Sequence, residues 1–355
     1  MMSIMAKEEV NTGRQIEFDY MKGIFMLFIF LIHAYQATGS DMSLPVKFIY
    51  AFATMSGAAI YIFVMGFGIS YSPNLTPAHL AKKGFMLVLY QYLTNILYVI
   101  SLCIPYPFVK SSLTPEGAEI FDLLKCVYIQ YINIFFTAGI ICLVLALLKK
   151  LSAPTFVYLI LAAAVALAAP QIYGTEVEVP VLGYVIKLLI GEDIFISFTP
   201  LYFLPYALIG VASGKLYRRI RDKSVFYRYV ICACAVIVIA WWVSVFIRLR
   251  PPALFWQEMD YSYTCPDIWH VIASLAHIFL FAGLLYFFSK HHRNQASSQI
   301  LFYSKNISLY YALHLTVYLA ALGFHGYLEF DSGTCLILAL VSMAVTEVMV
   351  RTIQQ

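Results

Sequence analysis

A chain of 355 residues that is 62% hydrophobic, 16% aromatic and only 12% charged carries more apolar surface than a water-soluble domain can hide. Its mean hydropathy of +0.80 places it in lipid. The net charge of +4 is met by loops facing anionic lipid, so nucleic acid is not needed as a partner, and seven cysteines without ligand-type spacing exclude a cysteine-built metal framework.

Apolar runs long enough to span about 30 Å of hydrocarbon are read, in chain order, at 20–38, 46–70, 84–104, 124–148, 153–170, 198–217, 225–247, 266–288, 306–324 and 334–351. An all-α, polytopic membrane fold with ten transmembrane helices is therefore expected. It would comprise a cytoplasmic segment 1–19, a single transmembrane domain 20–351 and a cytoplasmic tail 352–355. With both termini inside, Lys47, Lys110, Lys125, Lys187, Arg248 and Arg250 fall on the outer side and the rest of the 23 Lys and Arg on the cytoplasmic one. The opening 19 residues are polar and the first apolar run lacks a small-residue cleavage site, so no cleavable signal peptide is expected.

The first run, FDYMKGIFMLFIFLIH, holds Lys22 and His33 eleven residues apart. Eleven steps of about 100° return a helical side chain to within roughly 20° of its starting direction, about 16 Å further on. The pair shares one face, and ionisable groups inside a membrane helix mark a site. His33 lies past mid-membrane and is expected to act as a general base or as a transient acyl carrier. Lys22 lies at the cytoplasmic mouth, and Asp19 is placed to pair with it or to cap the helix start.

In the third and fourth runs Asn95, Gln130 and Asn133 are polar positions expected to line a cavity or a helix contact. The stretch 176–195 has too short an apolar core to span and is read as interfacial or re-entrant. If it crossed, the basic run at 218–223 would land outside. Further on, Asp267, His270 and His277 mark the entry of the eighth helix, the two histidines on one face. His314 lies about 12 Å into the ninth. Cys103, Cys265 and Cys335 fall near the outer surface, where a disulfide is an open possibility.

Asp19, Lys22, Gly23 and His33 match, position by position, the first-helix signature of the acyltransferase-3 family of integral-membrane O-acyltransferases, which this chain resembles. LYFLPYALIGVASGKL at 201–216 is similar to the family's proline and GxxxG helix, with Pro205, Gly210 and Gly214. YSKNISLYYALHL at 303–315 is similar to its late helix, with Ser308, Tyr310 and His314. The chain departs from the pattern at Met65, where a serine is usual, and in a third helix that follows Lys82 and Lys83 without the usual Arg and Pro.

The resemblance implies an enzyme that moves an acetyl or similar group from cytosolic acyl-CoA to a hydroxyl of a cell-envelope carbohydrate or glycolipid. The expected location is the cytoplasmic membrane, multi-pass and bacterial. His33 and Lys22 would be the catalytic residues, with Asp19, His314, Tyr310 and Ser308 in support. Arg218, Arg219 and Arg221 would receive donor phosphates, because guanidinium forks suit phosphate, while Asp267, His270 and His277 would serve the acceptor side. Acyl-CoA, the acceptor and membrane lipid are the expected partners, with no metal. The alternative is a secondary transporter or polysaccharide exporter using the same buried ionisable groups for substrate or protons. Such folds favour paired helix breaks, and the sequence shows only Pro205.

Overall fold

Apolar segments that leave water must satisfy their backbone amides internally, and in this chain they do so as helices. The computed structural model describes residues 5–38, 44–72, 74–172, 180–190, 198–248, 266–291 and 295–355. In chain order its α-helices are α1 (Ile16–Thr38), α2 (Leu44–Thr54), α3 (Gly57–Ser70), α4 (Pro77–Cys103), α5 (Tyr106–Val109), α6 (Pro115–Gln130), α7 (Ile134–Lys150) and α8 (Thr155–Ala168). They continue with α9 (Pro180–Ile190), α10 (Pro200–Tyr217), α11 (Lys223–Arg248), α12 (Ile268–His291), α13 (Gln295–Lys305), α14 (Ile307–Phe324) and α15 (Ser332–Gln354).

Six helical stretches among the described residues are long and apolar enough to cross a membrane: Ile49–Ser70, Pro77–Ser112, Lys223–Ser244, Ile268–Lys290, Ile307–Phe324 and Ser332–Gln354. Only 11% of the apolar stretch of α11 is buried within the protein, a ratio that water would not tolerate and lipid does. The chain is thus all-α and of multi-pass membrane character. Of the stretch 176–195, residues 180–190 form α9. Its 11 residues reach about 16 Å, roughly half the hydrocarbon thickness, and the flanks lie outside the described residues.

Two apolar runs expected to be continuous are interrupted. The run 46–70 breaks at Met55 and Ser56 between α2 and α3, and the run 124–148 breaks at residues 131–133 between α6 and α7. Each break frees carbonyls that side chains then take up, which is the condition for irregular backbone away from water. Ser274 Oγ of α12 donates to the Met55 carbonyl at 2.5 Å. Gln91 and Asn95 of α4 both donate to the Tyr131 carbonyl, at 3.0 and 2.8 Å. Asn133 then restarts the chain as N-cap of α7, accepting from Phe135 N at 3.1 Å. Asn95 and Asn133 therefore serve helix ends rather than helix interiors.

The chain divides into two compact units. One comprises Met1–Met21, Thr54–Leu89 and Ile132–Arg293. Here α10 packs on α3, α7, α8 and α9, and α12 on α11 and α3. The α3–α10 contact is close because it is built on glycine: a methyl added at Gly210 would overlap the Phe63 carbonyl, and one at Gly66 the Ala207 carbonyl. The first described residues lie along the end of α10, where Ala6 N donates to the Arg219 carbonyl at 2.7 Å and Val10 N to the Arg218 carbonyl at 2.8 Å.

The other unit comprises Lys22–Ala53, Tyr90–Tyr131 and Asn294–Gln355. In it α14 packs on α5, α13 and α15, and buried tyrosines tie elements by single hydroxyl bonds: Tyr318 to the Phe30 carbonyl at 2.6 Å and Tyr98 to the Tyr311 carbonyl at 3.3 Å. Asp331 caps α15, accepting from Gly333 N and Thr334 N at 2.9 and 3.1 Å. Bonds from the Thr334 hydroxyl and these amides hold its carboxyl below the usual carboxylate range. Cys103 and Cys335 are free thiols, and Cys265 lies outside the described residues.

Candidate functional site

The sequence places His33 in α1 and His314 in α14, both within the second unit, and their imidazole centroids stand 4.9 Å apart. Tyr311 sits against both rings, at 6.3 Å from His33 and 5.3 Å from His314. His314 is 1% exposed. Its Nδ1 lies 3.1 Å from the Tyr310 carbonyl, which can only accept, so Nδ1 carries the proton and Nε2 presents a lone pair. That Nε2 is buried without a hydrogen-bond partner. His33 is partly buried and hydrogen-bonded by Gln36, which also donates to Tyr50 Oη at 2.8 Å. One imidazole with a fixed tautomer thus stands beside a second that keeps some exposure, a geometry suited to proton transfer.

Lys22 is partly buried on the continuous α1, about 16 Å from His33 along the axis, too far for both to touch one atom. Gly23 beside it is where α13 approaches, since a methyl there would overlap the Ile300 carbonyl. Asp19 pairs with Arg14 at 2.5 Å. Tyr310 is fully buried and donates to Glu347 of α15, whose carboxylate also accepts from Gln299 at 2.7 Å and Arg351 at 2.6 Å. This network fixes the turn of α14 that carries the His314 acceptor. Ser308, two residues earlier, is exposed.

The first unit holds the remaining candidates. A cavity of about 640 Å³ is lined by Arg218 and Arg219 together with Lys149, Lys215 and Glu9. Arg221 is exposed and does not line it. His270 and His277 are buried on α12, at 5% and 2% exposure, whereas Asp267 is exposed and accepts from His270 N at 2.6 Å. His277 Nδ1 lies 2.8 Å from Ser56 Oγ. With Ser274 between them, these histidines close over the break between α2 and α3.

Glu17 and Glu347 were missed by the sequence reading. Glu17 is 1% exposed, between the Tyr217 and Tyr227 hydroxyls at 2.5 and 3.0 Å and Lys223 Nζ at 2.7 Å. The rule that found Lys22, that an ionisable group in an apolar helix is there for a reason, points equally to Glu347.

Fold and site together define a class: an all-helical, multi-pass membrane protein with paired imidazoles inside its apolar part. No protein-family model matches the chain, and neither curated proteins nor solved structures yield a match.

Proposed function

We propose that this chain is a membrane-embedded O-acyltransferase that moves an acetyl or similar group from cytosolic acyl-CoA to a hydroxyl of a cell-envelope carbohydrate. The observation that carries the reading is the approach of His33 and His314 to 4.9 Å, from two helices, with the His314 tautomer set by the Tyr310 carbonyl. The first-helix signature supplies the reaction class. His33 takes the proton of the acceptor hydroxyl as its oxygen attacks the thioester carbonyl. The C–O bond forms, the C–S bond breaks, and the proton passes to the departing thiolate. His314, with its Nε2 lone pair buried beside the His33 ring, gives the imidazolium formed there a polar neighbour. Ten spans with both termini cytoplasmic are part of the same proposal, supported by the distribution of Lys and Arg.

The test is transfer of labelled acyl groups from acyl-CoA to envelope glycan by the purified full chain. His33→Ala is expected to lower the rate by about 10²–10⁴-fold at unchanged expression. An active His33→Ala protein removes the assignment.

A second reading, a secondary transporter, is favoured by one finding. Helix breaks occur at residues 55–56 and 131–133, the kind of interruption that builds substrate sites in carriers. Uptake into vesicles without thioester cleavage selects it.

A further inference from the structure

The cavity beside the end of α10 carries features that an ordinary positively charged loop does not need. Its wall sets four cations, Lys149, Lys215, Arg218 and Arg219, against one carboxylate, Glu9. Arg218 is held on two sides, donating from Nη1 to the Ser70 carbonyl at 2.7 Å and from Nη2 to Glu9 at 2.5 Å, yet its Nε is buried with no acceptor. A buried charged donor left without an acceptor is costly. The first turn of α8, entered through Pro154, has no side-chain cap, and Thr155 lines the cavity. Ser152 on the same wall holds φ at 52°, a left-handed conformation that a serine adopts at a cost. Tyr158, with Lys215 Nζ 4.6 Å over its ring, and Val211 give the cavity an apolar side.

We infer that this cavity binds the phosphate of an amphiphilic ligand, and that Glu9 is an internal competitor occupying the Arg218 guanidinium until the phosphate displaces it. The donor set matches: guanidinium forks, ammonium groups, hydroxyls and free helix amides all prefer a multiply charged oxyanion to a single carboxylate. The carboxylate is delivered by residues 5–11, whose backbone is bonded to the Arg218 and Arg219 carbonyls. Phosphate of this kind comes from two sources, the nucleotide end of an acyl-CoA or the headgroup of an anionic lipid. For the first source the inference rests on the acyl-transfer reading; for the second it stands without it.

The full chain is titrated with coenzyme A by calorimetry in detergent. In parallel it is placed in phosphatidylcholine nanodiscs with and without phosphatidic acid, and retained lipid is read by native mass spectrometry. The Lys149→Ala/Lys215→Ala double variant is expected to weaken the bound probe by about tenfold or more, and Glu9→Gln to tighten it by about threefold. Binding of coenzyme A with these changes names the nucleotide source, and retention of phosphatidic acid with these changes names the lipid. Failure of both probes to bind, equal affinity in all three proteins, or weaker binding in Glu9→Gln overturns the inference. If the double variant does not fold, the sign of the Glu9→Gln change still decides. Coenzyme A affinity in His33→Ala is expected to equal that of the parent chain, so loss of transfer and loss of phosphate binding are separate results.

Discussion

Glu17 accepts bonds from Tyr217 and Tyr227 and an ion pair from Lys223, all within 3.0 Å, while one of its oxygens is buried without a partner. Burying a charge is costly, and removing one member of such a set leaves the others desolvated and unpaired. Glu17→Ala is therefore expected to cost about 3–5 kcal/mol, read as a lowered unfolding midpoint in detergent. Glu17→Gln, which keeps an acceptor oxygen, is expected to cost less. An unchanged midpoint in Glu17→Ala would show that the network carries no stability. The sequence pointed to Asp19 instead, because spacing relates Asp19 to Lys22 on one helix, whereas Glu17 is explained by residues two hundred positions away. Periodicity sees faces of a helix, and it does not see which distant hydroxyls arrive there.

At the scale of elements, the glycines of α10 decide how near α3 can lie. Gly210 meets the Phe63 carbonyl with no room for a side chain, so Gly210→Leu is expected to force the two helices apart and cost several kcal/mol by overpacking, about 1–3 or more. Gly57, with nothing within 4 Å of an added methyl, is the control: Gly57→Ala is expected to be nearly neutral in the same unfolding measurement. A Gly210→Leu protein as stable as its parent would show the contact to be dispensable. Gly210 and Gly214 were legible only through the resemblance of 201–216 to a family helix, which does not say what they meet. The two helix breaks were not, since the polar residues beside them, Thr54 and Ser56 in 46–70 and Gln130 and Asn133 in 124–148, fit equally a continuous helix that lines a cavity or a helix contact. What ends those helices is a set of distant donors, Ser274 for one and Gln91 with Asn95 for the other.

For the whole molecule, the apolar composition and the six candidate spans agree on a multi-pass membrane protein. The paired imidazoles were half legible: His33 stood out as an ionisable group in lipid, and its approach to His314 needed the packing of α1 and α14. Basic residues alone carry the orientation, and it is testable directly. In right-side-out vesicles a membrane-impermeant maleimide is expected to label Glu119→Cys and to leave Lys7→Cys unlabelled until the membrane is opened. Labelling of Lys7→Cys in sealed vesicles would invert the topology.

The strap formed by residues 5–11 also dictates an order of assembly. Asn11 donates to the Ile220 carbonyl, 209 positions further along, and Ala6 and Val10 have their partners in the same stretch. A growing chain therefore exposes residues 5–11 long before their seat exists, and they dock only after α10 has left the ribosome. Until then Glu9 has no guanidinium to meet, so the carboxylate is in place before the basic hollow it enters has been made.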